Sequence, residues 1–127
     1  MSYEIKREIL GFETISEVVI NEIDDLFSTM QDKHNKNVSF TMVHPYPLRE
    51  YSFDLPSDVK VLLDIHKKSN VGVYNLVLIQ KPLEESTINF LAPIIVNHDN
   101  NTIAQVVLNT KRHPDFGLCE TIKTYLK

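Results

Sequence analysis

The sequence predicts a mainly β fold, an antiparallel β-barrel or roll with one or two short helices. Three observations carry this prediction. Short alternating or β-branched segments follow one another along most of the chain. Few helical patterns separate them, and strands joined without crossover helices pair antiparallel. Finally, Ile94–Val96 and Thr102–Leu108 flank the polar turn His98-Asp99-Asn100-Asn101, the strongest hairpin signal in the chain.

Each element has its own reason. Tyr3, Ile5, Arg7 and Ile9 alternate with polar residues and run into Leu10-Gly11, predicting an edge strand and a turn. Gly11 and Gly117 are expected to supply positive φ at turns. Glu17–Ile20 is β-branched and predicts a second strand. Ile20 to Met30 carries two readings. Ile20, Ile23, Phe27 and Met30 recur at helical spacing behind Asp24-Asp25, whereas Leu26–Met30 also reads as a strand. Lys33–Asn37 is a polar loop. Val38, Phe40 and Met42 alternate with Ser39 and Thr41 in a strand that His44-Pro45-Tyr46-Pro47 ends. Tyr51, Phe53 and Leu55 predict another half-buried strand.

Pro56-Ser57-Asp58 opens the clearest helix, with Val59, Leu62, Leu63 and His66 on one face and Ser69-Asn70 at its end. His66 is placed to meet its last carbonyls. Val71–Ile79 reads as a central strand covered on both faces, in which Gly72 marks a bulge or a close approach. Lys81–Glu85 is a loop. Ile88, Phe90, Ala92, Ile94 and Val96 share one face of the next strand, bent by Pro93. Phe90 and Leu91 are then expected to split between the core and the outside. After Asn109 comes His113–Gly117, then a short helical stretch, Leu118 to Leu126.

A chain of 127 residues with 43% hydrophobic and 24% charged residues is ordinary for one globular domain, read here as 1–127. No apolar run approaches the roughly 20 residues of a membrane helix. The start, Met1-Ser2-Tyr3-Glu4-Ile5-Lys6, shows no secretory h-region. The single cysteine, Cys119, excludes an internal disulfide and fits a reducing cytoplasm. Seventeen acidic against 13 basic residues give −4, the wrong sign for direct nucleic-acid binding and the right one for steering toward a basic partner.

The search for chemistry is negative. His34, His44, His66, His98 and His113 form no His-x-His or His-x-x-x-His pair. Glu84-Glu85 before Ser86-Thr87 lacks a base or an oxyanion loop. Gly11, Gly72 and Gly117 stand alone, so no phosphate loop exists. Cys119 has no neighbouring cation to activate it. No metal, cofactor or catalytic residue is expected. The residues alone describe a binding protein.

Several sequence words are more specific. They are Ile9-Leu10-Gly11-Phe12-Glu13, the run His44 to Pro56 with its Tyr51-Ser52-Phe53-Asp54-Leu55-Pro56, the run Pro82 to Asn97 around Asn89-Phe90-Leu91-Ala92-Pro93, Ala104-Gln105-Val106, and Pro114-Asp115-Phe116-Gly117. In order and spacing, over nearly the whole chain, these resemble the flagellar assembly factor FliW family, most closely its short Campylobacter- and Helicobacter-like forms. Longer forms carry an extra loop where this chain has Asp32–Asn37, and the tail beyond Gly117 varies. The resemblance implies an antiparallel β-barrel or roll and favours a strand at Leu26–Gln31. It implies a cytoplasmic, non-enzymatic protein with two partners. One is newly made flagellin. The other is CsrA, a translational regulator that represses flagellin messenger RNA. Capture of CsrA relieves repression, and flagellin competes for the same protein. The expected alternatives are a flagellin chaperone that does not bind CsrA, or a small-ligand-binding β-barrel. A monomer is expected when free, with no membrane association.

The partner-binding candidates are polar or aromatic residues expected to be exposed near these words. They are Tyr46 and Arg49 beside the Pro-Tyr-Pro loop, Glu84, Glu85 and Asn89 around the Asn-Phe-Leu-Ala-Pro run, and Asp99 and Asn101 at the hairpin turn. Flagellin, with amphipathic termini disordered before assembly, suits a helix-in-groove mode.

Overall fold

The computed structural model describes residues 2–125. The strands are β1 (Ser2–Arg7), β2 (Glu17–Glu22), β3 (Phe27–Asp32), β4 (Ser39–Val43), β5 (Val71–Leu78), β6 (Thr87–Ile88), β7 (Ile94–Asn97), β8 (Thr102–Gln105) and β9 (Glu120–Thr121), with one helix, α1 (Ser57–Leu62). Seven of them close a barrel in the order β4-β3-β2-β1-β8-β7-β5, sealed by β5 against β4. An odd ring cannot alternate direction all the way round. One parallel seam is therefore required, and it is β1 against β8. β6 and β9 extend the sheet beyond β5. The expected mainly β barrel with a short helix is what the chain forms.

Period-two alternation sorts side chains between two cores. Val18, Met30, Met42, Tyr74, Ile94, Val96 and Ile103 fill the barrel, and Ile9 and Ile15 join them from the β1–β2 connection. The outside carries two further clusters. Val59 of α1 and Leu63 just after it lie with Ile95, Ala104 and Val106. Tyr51, Phe90, Ile88 and Ile122 lie with Val43. β5 serves both sides, as expected of a strand covered on both faces. Tyr74 and Leu76 point inward, while Val71, Val73 and Val77 meet the outer clusters. Gly72 is the expected close approach: a Cβ there would stand 2.7 Å from His98 Nε2.

The double reading of Ile20–Met30 resolves as a β2–β3 hairpin. Asp24 turns it, its Oδ1 accepting from the N–H groups of Leu26 (2.9 Å) and Phe27 (2.7 Å). Those donors hold its carboxyl below the usual aspartate range.

Several expectations need correction. β1 is no edge strand, because it lies between β2 and β8. Tyr51–Leu55 joins no ladder. Its alternation is real, but the side chains rest on the outside of a barrel that is already closed. The Ile88–Val96 strand is two strands, β6 and β7, separated where Asn89 Oδ1 accepts from the N–H groups of Leu91 and Ala92, both at 3.1 Å. That turn sends Phe90 and Leu91 into different outer clusters, both buried, rather than one inward and one outward. β8 stops at Gln105. The N–H groups of Val106 and Leu108 still reach the carbonyls of Pro93 and Leu91.

The helix ends early, at Leu62. Ile65 N–H bonds to Lys60 O (2.8 Å) and Asp64 N–H to Val61 O (3.2 Å), a Schellman closure with Asp64 at φ 54°. His66 therefore lies past the end and touches Asp64 Oδ1 at 2.9 Å instead of the last carbonyls. Gly11 has the expected positive φ of 87°, whereas Gly117 does not. Gly117 instead lies close under Glu120, whose Oε2 accepts its N–H at 2.6 Å. The helical tail expected over Leu118–Leu126 is β9 followed by a 3-10 turn, Ile122–Thr124. Leu126 falls outside the described residues.

Candidate partner-binding surface

Arg49 shows how the His44–Pro47 segment is used. The N–H groups of Leu48 and Arg49 both bond to Pro45 O, so the chain turns and aims Arg49 back at the barrel. Its guanidinium lies over the rings of Phe116 (5.0 Å), Phe90 (5.1 Å) and Tyr125 (5.5 Å). Nη1 donates to Tyr125 Oη (3.1 Å), Asp115 O (3.3 Å) and Glu120 Oε1 (3.4 Å). The side chain is only 18% exposed. The expectation that Arg49 stands exposed is therefore corrected: its charge fastens the C-terminal segment to the outer cluster. Burial, with Glu120 accepting its hydroxyl proton, raises the pKa of Tyr125.

Tyr46 does stand free, 59% exposed. It forms the lip of an open cleft of about 340 Å³ between the 46–55 segment and the outer faces of β5 and β7. Tyr51, Phe53, Leu55, Val73 and Ile95 line it. On the other side of Tyr46 a second hollow is bounded by Arg49 and Glu50. The Tyr51 hydroxyl donates to Phe90 O and accepts from Asn75 Nδ2 at 3.1 Å. Burial pushes its pKa far up, so it stays neutral. The cleft is thus uncharged and mostly apolar. It suits an aliphatic or aromatic side chain and has no group that would activate a bond.

The remaining candidates fall into two sets at opposite ends of β5. Glu84 and Glu85 lie beyond its Leu78 end, on the 3-10 turn Leu83–Glu85. Glu84 is exposed, and Glu85 holds Lys123 Nζ at 2.8 Å, which raises the pKa of Lys123. Exposed Leu78, Ile79 and Leu83 lie around them. That apolar ridge was not visible in the sequence, where Val71–Ile79 reads as one buried run. Leu76 is the last β5 side chain packed on the barrel core, and nothing in the linear pattern marks that point.

Asp99 and Asn101 lie at the Val71 end. Asp99 Oδ2 accepts from Asn70 N–H at 3.0 Å. Asn101 takes φ 57° to complete the β7–β8 turn. Asn89, half-buried, spends its carbonyl on the turn already described. These three are framework residues, and the seven candidates do not form one patch. Tyr46 and the Glu84 ridge remain as accessible surface.

Sequence reasoning also missed a polar chain inside the mouth of the barrel. Tyr3 Oη meets His98 Nδ1 at 3.0 Å, and Tyr74 Oη lies 3.5 Å from His98 Nε2. His44 lies tilted against the Tyr74 ring, centroids 4.9 Å apart, and reaches Glu22 Oε2 at 3.1 Å. Strand register alone brings these residues together, so no linear spacing announces them. Among the described residues no three His, Cys, Asp or Glu side chains are grouped to hold a metal. No helix there is long and apolar enough to cross a membrane.

Residues 2–115 match the family model described as FliW protein. The chain is 46% identical over 127 residues to flagellar assembly factor FliW 1 of Wolinella succinogenes, covering 100% of this chain and 99% of that one. It is 40% identical over 128 residues to flagellar assembly factor FliW of Campylobacter lari, covering 100% and 98%. A crystal structure of the flagellar assembly factor FliW shares its fold, with a TM-score of 0.86 at 20% identity over 95% of this chain and 84% of that one. By the family model and by end-to-end identity, the chain belongs to the FliW family of flagellar assembly factors.

Proposed function

We propose that this protein is a cytoplasmic binding protein rather than an enzyme. It acts as one domain, monomeric when free, and captures flagellin and the translational regulator CsrA in alternation. Holding CsrA relieves repression of flagellin messenger RNA, and flagellin displaces CsrA when it accumulates. The observation that carries this reading is the 46% identity, end to end, with a protein named flagellar assembly factor.

The surface is compatible with two modes. The neutral cleft under Tyr46 suits an apolar side chain from an amphipathic flagellin segment. The ridge of Leu78, Ile79 and Leu83 with Glu84 suits a basic partner such as CsrA. A small-ligand role has less support, because the cleft is open and lacks the convergent polar groups that orient a ligand.

The test is a calorimetric titration with CsrA from the same organism, repeated with flagellin already bound. Tight binding that flagellin abolishes supports the switch. Binding of flagellin alone leaves a dedicated chaperone. Binding of neither partner overturns the reading.

A further inference from the structure

Lys6, Lys33 and Lys123 each hold a carboxylate. Lys36, Lys60, Lys67, Lys68, Lys81 and Lys111 hold none among the described residues, and Lys60, Lys67 and Lys68 stand together on α1 or the turn after it. Lys60, Lys67, His66 and Ile65 line an open hollow of about 610 Å³. The backbone presenting them is fixed at several points. The Schellman closure ties Ile65 to Lys60. The amides of Asn97 (2.8 Å) and Asn100 (2.9 Å) hold Leu63 O. Ser69 closes the next turn, its hydroxyl accepting from His66 N–H at 2.7 Å and its N–H donating to His66 O at 3.1 Å. The nearby acids are engaged: Asp64 with His66, Asp99 with Asn70 N–H and Asp58 with Arg7. A chain of net charge −4 thus places Lys60, Lys67 and Lys68, none of them paired among the described residues, beside one hollow with Ile65 in its floor.

We propose that this hollow docks a short acidic segment of a partner protein. Its carboxylates meet Lys60 and Lys67, and an aliphatic side chain between them covers Ile65. Charge complementarity selects the occupant. A longer polyanion such as RNA is disfavoured, because its phosphates beyond the hollow meet an acidic surface. The inference is independent of the flagellin and CsrA reading, since it concerns a different face and needs neither protein for its test.

The experiment follows backbone amide shifts of the full chain during titration with an acetylated pentapeptide of four glutamates around a central leucine. Parallel titrations use the all-lysine counterpart and penta-uridylate. The expected result is saturable shifts confined to residues 60–68 with the acidic peptide alone, weakening as salt is raised. Lys60→Glu with Lys67→Glu lowers the affinity about tenfold or more, and the milder Lys67→Gln lowers it less. Both side chains are exposed, so both variants keep the native spectrum. Absence of shifts, shifts elsewhere, or insensitivity to the reversal overturns the proposal. Stronger binding of penta-uridylate also overturns it and assigns the hollow to nucleic acid.

Discussion

Replacing Arg49 with Ala tests whether this cation is spent on architecture. The variant loses the hydrogen bonds from Nη1 to Glu120 and Tyr125 and the contact with three aromatic rings. Glu120, 24% exposed, keeps only the Tyr125 hydroxyl and Gly117 N–H as partners. Losing charged hydrogen bonds costs roughly 1.5–3 kcal/mol, and stacking on rings adds up to about 1 kcal/mol in a site that remains partly wet. The contributions share one side chain and do not sum, so about 3 kcal/mol is the working figure. At roughly 2.1 cal/mol/K per residue, 127 residues give an unfolding entropy of about 270 cal/mol/K. Tm should then fall by about 11 °C, read by circular dichroism. A cycle with Glu120→Gln isolates the pair, with a coupling of about 1–2 kcal/mol expected. Hydrogen exchange should accelerate over residues 116–125 more than in β3 or β7. A fall in Tm under about 3 °C, or strictly additive single changes, would refute this account and return Arg49 to the list of surface residues.

Other consequences are equally direct. Gly72→Ala forces a Cβ to 2.7 Å from His98 Nε2 and 3.0 Å from Tyr74 Cε1, so it should cost about 1–3 kcal/mol in chemical denaturation, and His98→Ala should recover part of the loss. Burial raises the Tyr74 pKa from 10.0 to about 12 and that of Tyr51 further, so the stability these phenols contribute is complete below pH 10 and lost as pH rises through their folded values. Tyrosinate absorbance should therefore rise together with loss of the β signal, and ionisation of all five tyrosines near pH 10 in a folded chain would contradict the burial. On the proposed CsrA reading, Glu84→Lys with Glu85→Lys should slow association with CsrA and flatten its salt dependence, and an unchanged low-salt rate would remove the ridge from that proposed interface.

The barrel was legible because one-face burial writes a period of two into the sequence. Val38, Phe40 and Met42, and the hairpin Ile94–Gln105, could be read with no knowledge of their neighbours. What failed depended on whether a partner strand existed. Tyr51–Leu55 alternates as well as β4 does, yet the ring is complete without it. Leu78 and Ile79 continue an apolar run past Leu76, the last β5 side chain packed on the barrel core. Closure of a barrel is set by all its strands together, and no single segment records it. The candidate site was less legible for a related reason. Asn89, Asp99 and Asn101 were read as surface chemistry because polar turns are exposed. In a short-looped barrel, the side chains of Asn89 and Asp99 are needed to satisfy backbone groups that strands leave unpaired, and Asn101 is needed for its left-handed backbone.

The C-terminal segment completes this argument. The family model ends at residue 115, and the resemblance left everything beyond Gly117 without a role. Yet Ile122 is fully buried in the outer cluster, and its N–H reaches Ser86 O at 2.8 Å. β9 pairs with β6, and Phe90 N–H bonds to Gly117 O at 2.9 Å. Arg49, within the matched region, takes Glu120 and Tyr125 as partners from outside it. A tail can vary in sequence and still be required, provided each version covers Phe90 and Ile88 and answers the cation. Ending the chain after Gly117 should therefore uncover Ile88 and Phe90 beside an unpaired Arg49. The truncated protein should bind more of a hydrophobic dye than the whole chain does. A truncation with unchanged Tm and no increase in dye binding would show that the barrel holds this face closed by itself.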